Sequence, residues 1–394
     1  MRVRRCWGWL LSLLLLGTGC WSRREVNEVA ISSAIAIDEE RNQTIRITMQ
    51  ILRPTAAVES GQPRSGTFNV TATGPTTAAA IRNLDQQLSR RPEWKHNNAI
   101  ILSENVARQG VGEIMDFFMR NHQSRLDQWI LVTRGKAAAV LVPRFQLESN
   151  QGIGIRRLNQ SAVHSTAATV PVRLYDFVTS LTNPAEDPVA AAIETVEFPD
   201  PSGEGEVNPR IRMRGAAVFQ HDRLAGWLDE TEARSLDWFR GEATGAMVVV
   251  PCRKGPGRGT SVQLISTRSS LQPYWKNGQP AVRATVRATG QLGDLMCQED
   301  LSKHEALVDL QRRTAAQMEA EMAKLMHRLQ KDLGSDAVGL GVALERTFPA
   351  AWKKMSPQWR EIFPKVSVTP EVVVELTQMG TSEGKLISSG GGGK

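Results

Sequence analysis

The chain is poor in the residues that most often carry catalysis or cross-linking. Its 394 residues include four cysteines, six histidines and two tyrosines. The histidines (His96, His122, His164, His221, His304 and His327) are scattered, and none falls in a HExxH or HxH pattern. No G-x-S-x-G nucleophile elbow or phosphate-cradling G-x-x-x-x-G-K loop occurs. QGIGIRR at 151–157 lacks the third glycine of a dinucleotide fingerprint and reads as a loop. These absences argue against a catalytic centre, a metal site and a bound cofactor. The formal net charge is +7, yet the basic residues form no long run, so nucleic acid is not an expected partner. Beyond the first residues there is no apolar run long enough to span a bilayer, and no repeat of fixed period.

What is present begins at the front. Arg2, Arg4 and Arg5 precede an apolar run from Trp7 to Leu16, then Gly17-Thr18-Gly19 and Cys20. A positive start, a short apolar core and small residues make an export signal, expected over 1–19. Small residues directly before a cysteine resemble a bacterial lipobox, so Cys20 is expected to carry a diacylglyceryl group and to become the new N-terminus. Two acyl chains hold a protein on a membrane durably. Trp21 would then sit at the interface. With Cys6 lost in the signal and Cys20 acylated, Cys252 and Cys297 are left either to pair or to stand as two separate, partly buried thiols.

Periodicity supplies the rest. AISSAIAID (29–37) and TIRITMQIL (44–52) read as strands, the second alternating Ile45, Ile47, Met49 and Ile51 with polar residues. Strands are also expected at 67–73, 97–103 and 128–133, with helices at 76–89 and 104–119. PDPSGEGEVNP at 199–209 reads as a linker. A hairpin turning at His221-Asp222 follows, then strands at 245–250, 261–267 and 281–290. A long helix is expected over 303–333, opened by a Ser302–Glu305 capping box and stopped by Gly334. Its stripe from Leu307 to Leu333 should pack on its own sheet, with Arg312, Arg313, Glu319, Lys324 and Arg328 solvated on the opposite face. A strand over 365–379 contains Pro370, which suggests an edge or a bulge. Ten tryptophans are expected mainly in the core.

The expected class is α+β and multidomain, with mixed, mostly antiparallel sheets flanked by helices. The expected divisions are 1–19 signal, 20–198 N-terminal domain, 199–209 linker, 210–380 C-terminal domain and 381–394 flexible tail. A solute-binding lipoprotein of a transporter would instead favour two lobes in which strands alternate regularly with helices. A membrane-held hydrolase would need a nucleophile and base that are not apparent.

The start GCWSRREVNEVAISSAIAID resembles the mature N-terminus of the Ger(x)C family, the lipoprotein C subunits of spore germinant receptors. The pattern falls on Cys20, Trp21, Arg24, Glu25, Val26, Asn27 and Asp38. The resemblance continues through RPEWKHNNAIILSENVARQGVGEIMDFFMRN, with Arg120-Asn121 and then Arg125. It recurs in GAAVFQHDRLAGWLDETEARSLDWFRG and in the Trp-rich SDAVGLGVALERTFPAAWKKMSPQWREIFPKVSVTPEVVVEL. Gly17 and Ser22 depart from the family pattern. The resemblance implies a non-enzymatic subunit tethered to the outer face of the cell membrane or spore inner membrane. It also implies integral-membrane A and B subunits as partners in nutrient-triggered germination.

Overall fold

The computed structural model describes residues 28–53, 66–143, 145, 147–198, 208–253, 259–297 and 299–378. Cys20, the segment before it and the 381–394 tail lie outside the described residues.

The first sheet contains β1 (Val29–Glu40), β2 (Thr44–Leu52), β3 (Thr67–Gly74), β4 (Arg91–Glu93), β5 (Ala99–Ser103), β6 (Trp129–Thr133), β7 (Val189–Phe198), β8 (Asn208–Gln220) and β9 (Arg223–Leu228). Its order is β3-β2-β1-β5-β6-β7-β8-β9, with β4 beside the start of β1. Strands β1, β5, β6 and β7 run parallel, and antiparallel strands flank them on both sides. AIILS and WILVT are buried at every position, as central parallel strands covered on both faces must be.

Helix α1 (Thr77–Asp85) starts where Thr76 Oγ1 accepts the Ala79 N–H at 3.1 Å. The helix expected over 104–119 is two, α2 (Glu104–Gln109) and α3 (Gly112–Arg120), separated at Gly110-Val111. QGIGIRR is no loop: it opens helix α4 (Gln151–Ser161), capped by Asn150 Oδ1 on the Ile153 N–H. Its glycines serve close packing. A Cβ at Gly152 would lie 2.2 Å from the Ser33 carbonyl oxygen, and one at Gly154 2.3 Å from the Phe145 ring. Next come α5 (Leu174–Thr182) and, unanticipated, α6 (Glu230–Arg240). In α6, Asp229 and Glu232 cap each other's backbone N–H at 2.8 and 3.0 Å.

The second sheet is β10 (Met247–Val250), β11 (Thr260–Lys276), β12 (Gln279–Leu295) and β13 (Ser367–Gln378), in that order. The strands expected at 261–267 and 281–290 are longer, forming one hairpin closed at Asn277-Gly278. β13 joins β12 in parallel at the edge, where Pro370 lacks no needed donor. Helix α7 (His304–His327) continues through Arg328–Leu333 to Gly334, at φ 58°. No capping box opens it: Ser302 Oγ donates to Asp300 instead, at 2.5 Å. Leu310, Met318, Met322, Leu325 and Leu329 are buried, and α7 lies against β13. The face expected to be solvated is partly engaged. Arg313 pairs with Glu299 at 2.6 Å, Arg328 donates to the Trp227 carbonyl, and Glu319 accepts the Val372 N–H. Short helices α8 (Leu340–Thr347), α9 (Pro349–Met355) and α10 (Trp359–Ile362) lie between α7 and β13.

The boundary expected at 199–209 falls between two paired strands of the first sheet. Residues 199–207 lie outside the described residues, but the strands on either side pair with each other from Val189↔Val218 to Phe198↔Asn208. The segment therefore joins neighbouring strands of one sheet. The change from first sheet to second falls later, between Leu228 and Met247, across α6. Trp94, Trp129, Trp238, Trp352 and Trp359 are buried, while Trp275 is exposed.

Candidate functional site

Cys20 and the Trp21–Asn27 part of the opening pattern lie outside the described residues. Cys252 and Cys297 form a disulfide, with Cα atoms 5.4 Å apart. It ties the exit of β10 to the end of β12, across the start of β11. Asp38, at the other end of the opening pattern, reaches 99 residues along the chain. Its two oxygens accept the Ala137 and Ala138 N–H groups at 2.7 and 2.9 Å, which starts the short helix Ala137–Leu141.

The Asn-rich stretch before β5 forms a buried polar network at the N-terminal ends of the parallel strands. Ser32 Oγ donates to Asn97 Oδ1 at 3.2 Å, and Asn97 Nδ2 donates to Gln128 Oε1 at 2.5 Å. Gln128 Nε2 donates in turn to Ser124 Oγ and to the Arg125 carbonyl. The Arg173 guanidinium stacks over Trp129, 3.9 Å from the ring centre. Arg120 pairs with Asp116 at 2.7 Å, and Asn121 Oδ1 accepts the Gln123 N–H. These residues shape the loops at this end of the sheet.

A second constellation, not anticipated from sequence, ties the segment after the long helix to the first sheet. Asp336 follows the long helix and is fully buried. Its Oδ1 accepts the Gly339 and Leu340 N–H groups at 3.0 and 2.9 Å. Its Oδ2 accepts the Gly341 N–H at 2.8 Å and the Trp359 indole N–H at 3.2 Å. Burial pushes this carboxyl up to about 7, against the pull of those donors and helped by the nearby Asp187 charge. Asp187, just before β7, accepts the Asp336 N–H at 2.9 Å and the His221 N–H at 2.8 Å. Ser335 Oγ donates to the Phe219 carbonyl at 2.6 Å, and Arg240 donates to the Ala337 carbonyl. The motif GAAVFQHD thus meets SDAVGLG across the junction. An acid sitting alone between Gly334 and Gly339 was the available signal.

Among the concavities that the described residues form, two stand out. A cleft of about 570 Å³ at the junction is lined by Tyr175, Asp176, Arg240, Glu242, Ser269 and Arg346, among others. Burial raises the Glu242 carboxyl there, with Arg240 opposing and Asp176 reinforcing. An apolar groove of about 770 Å³ is lined by Val142, Pro143, Phe145, Leu147, Leu158 and Ile211, among others. Among the described residues no group of three His, Cys, Asp or Glu is placed to hold a metal. No helix there is long and apolar enough to cross a membrane.

That architecture, two mixed sheets with a long helix late in the chain, defines a class of known proteins. The family profile described as "Spore germination protein N-terminal domain" matches residues 22–195, and "Spore germination B3/ GerAC like, C-terminal" matches 214–380. The chain belongs to the Ger(x)C family of spore germination proteins. The Bacillus subtilis (strain 168) spore germination relative YfkR is 29% identical over 375 residues, covering 93% of this chain and 94% of its own. Spore germination protein B3 of the same organism is 22% identical, covering 94% and 96%. The crystal structure of the GerBC protein superposes with a TM-score of 0.55 at 19% identity, covering 87% of this chain and 96% of that one. It shares the fold.

Proposed function

We propose that this chain is the membrane-anchored lipoprotein subunit of a spore germinant receptor. In this reading it works with integral-membrane A and B subunits in nutrient-triggered germination and catalyses no reaction. The observation that carries the reading is positional. The two family domains account for 22–195 and 214–380 in the family's order, and the first match begins two residues after Cys20. An acylated Cys20 would hold the folded chain on the outer face of the cell membrane or spore inner membrane. No bound cofactor is needed beyond that covalent lipid, and the buried junction around Asp336 would keep the two sheets moving as one body.

Cys20→Ala is the direct test. The variant should fold normally, leave the membrane fraction and slow nutrient-triggered germination at least tenfold. Membrane retention of Cys20→Ala together with normal germination would overturn the lipoprotein reading.

A further inference from the structure

We infer that the cleft between α5, the end of α6, β11 and α8 is a binding site for a small zwitterion, a molecule of amino-acid type with one primary ammonium and one carboxylate. The part such a ligand would play in germination rests on the receptor reading above, whereas the binding itself does not depend on the lipid anchor. The cleft holds about 570 Å³, within the range of small-molecule sites, about 300–1,000 Å³. Its walls come from distant parts of the chain. Helix α5 contributes Tyr175 and Asp176, α6 and the turn after it contribute Arg240 and Glu242, β11 contributes Ser269, and α8 contributes Arg346.

The charged groups of the lining have few partners in the chain. Among the described residues, the side chains of Glu242 and Arg346 make no hydrogen bond or ion pair. Asp176 accepts the Arg173 backbone N–H at 3.1 Å, and Arg240 donates to the Ala337 carbonyl at 2.8 Å. Glu186, the remaining charged group of the lining, faces Asn183 Nδ2 at 3.5 Å. Burial raises the Glu242 carboxyl, and the Asp176 charge adds to that effect against the pull of Arg240. One turn before Arg240, Asp237 is buried with Oδ1 unpartnered, within electrostatic reach of both Arg240 and Glu242. Acids therefore outnumber the guanidinium around Glu242, and an ammonium placed there offsets the surplus. Arg346, on the α8 wall and without an acid partner, suits a carboxylate. Ser269 is an independent sign of a ligand. Its Oγ is buried without a hydrogen-bond partner, and the residue lines the cleft. Buried hydroxyls are normally satisfied. This one can accept from an ammonium or donate to a carboxylate. Leu271, Val338 and Val342 supply apolar lining for the rest of the ligand.

The test is calorimetric titration of the purified mature protein with the common L-amino acids and their glycine dipeptides. At least one should bind with a Kd of about 1 mM or below. The matching amine, which lacks the carboxylate, and the matching carboxylic acid, which lacks the ammonium, should each bind at least about tenfold more weakly. Glu242→Gln and Arg346→Gln should each weaken binding of the zwitterion about tenfold, with the urea midpoint unchanged. Arg346 is exposed, so its variant keeps the fold. Glu345→Gln, next to Arg346 but outside the cleft, should bind as the natural chain does. Tighter binding of a dipeptide than of its amino acids would assign the cleft to peptides, and the reverse to free amino acids. No binding across the panel at about 10 mM, or binding unchanged in both cleft variants, would overturn the site. Because the titration reads binding and not membrane attachment, that failure is separate from loss of the anchor.

Discussion

Asp336→Ala is expected to lower the free energy of unfolding by about 3–5 kcal/mol, read as a fall in the urea midpoint. The carboxylate is the common acceptor for three backbone N–H groups and the Trp359 indole N–H, all in a fully buried site. Removing it strands four donors where water cannot replace it. Asp336→Asn should cost less, about 2–3 kcal/mol, because one oxygen remains but an amide N–H₂ now faces donors. The pH dependence has a definite sign. In the folded chain the carboxyl keeps its proton up to about 7, whereas the ordinary value is 3.8. The unfolded chain therefore releases the proton first as pH rises. The stability linked to it is fully present below about pH 4 and is lost as pH rises through about 7. Urea midpoints measured from about pH 5 to pH 8 should decline more steeply in the natural chain than in Asp336→Asn, which has no such proton. Equal slopes would show that the carboxyl is already ionised across this range.

The second large effect is expected at Gly215, where the block GAAVFQHD begins. Gly215 has φ 75°, a left-handed conformation, in the irregular stretch where β8 slips against β7 between Ala191↔Ala216 and Ile193↔Met213. Its N–H donates to the Ala168 carbonyl at 2.7 Å, and its own carbonyl accepts Thr169 Oγ1 at 2.7 Å. A Cβ would stand 2.0 Å from the Leu228 carbonyl oxygen, at the end of β9. Backbone strain of about 1–3 kcal/mol and an immovable carbonyl act together. Gly215→Ala should therefore cost about 3–5 kcal/mol, or fail to accumulate as folded protein. A variant within about 1 kcal/mol of the natural chain would mean that this bulge relaxes freely.

The two sites also show what the sequence made legible. Strands with a period of two, such as TIRITMQIL, and the long stripe of α7 could be placed because one-sided burial writes itself into residue order. Helix α4 was hidden because glycines at 152 and 154 lower helix propensity, and only the approach of Ser33 and Phe145 explains their presence. Helix α6 carried a readable Asp229–Glu232 capping signature inside a charged run, where the periodicity is weak. The Pro-, Gly- and acid-rich stretch at 199–209 signals a change of direction, but composition cannot say whether the chain enters a new domain or returns beside the strand it left. Pairing of β7 with β8 shows that the chain returns beside the strand it left. The Asp336 junction was illegible for a similar reason, since its partners lie up to 149 residues away in sequence. Cys20, by contrast, depends on local sequence alone, because an export enzyme reads a short segment before folding.

The measurement that bears most directly on the central claim is the intact mass of the mature protein recovered from a membrane fraction. A chain beginning at Cys20 and heavier by one diacylglyceryl group is the predicted result. It would place the anchor immediately before the first family domain. An unmodified chain cut elsewhere would contradict the lipoprotein account and reopen the choice between a secreted binding protein and a secreted hydrolase.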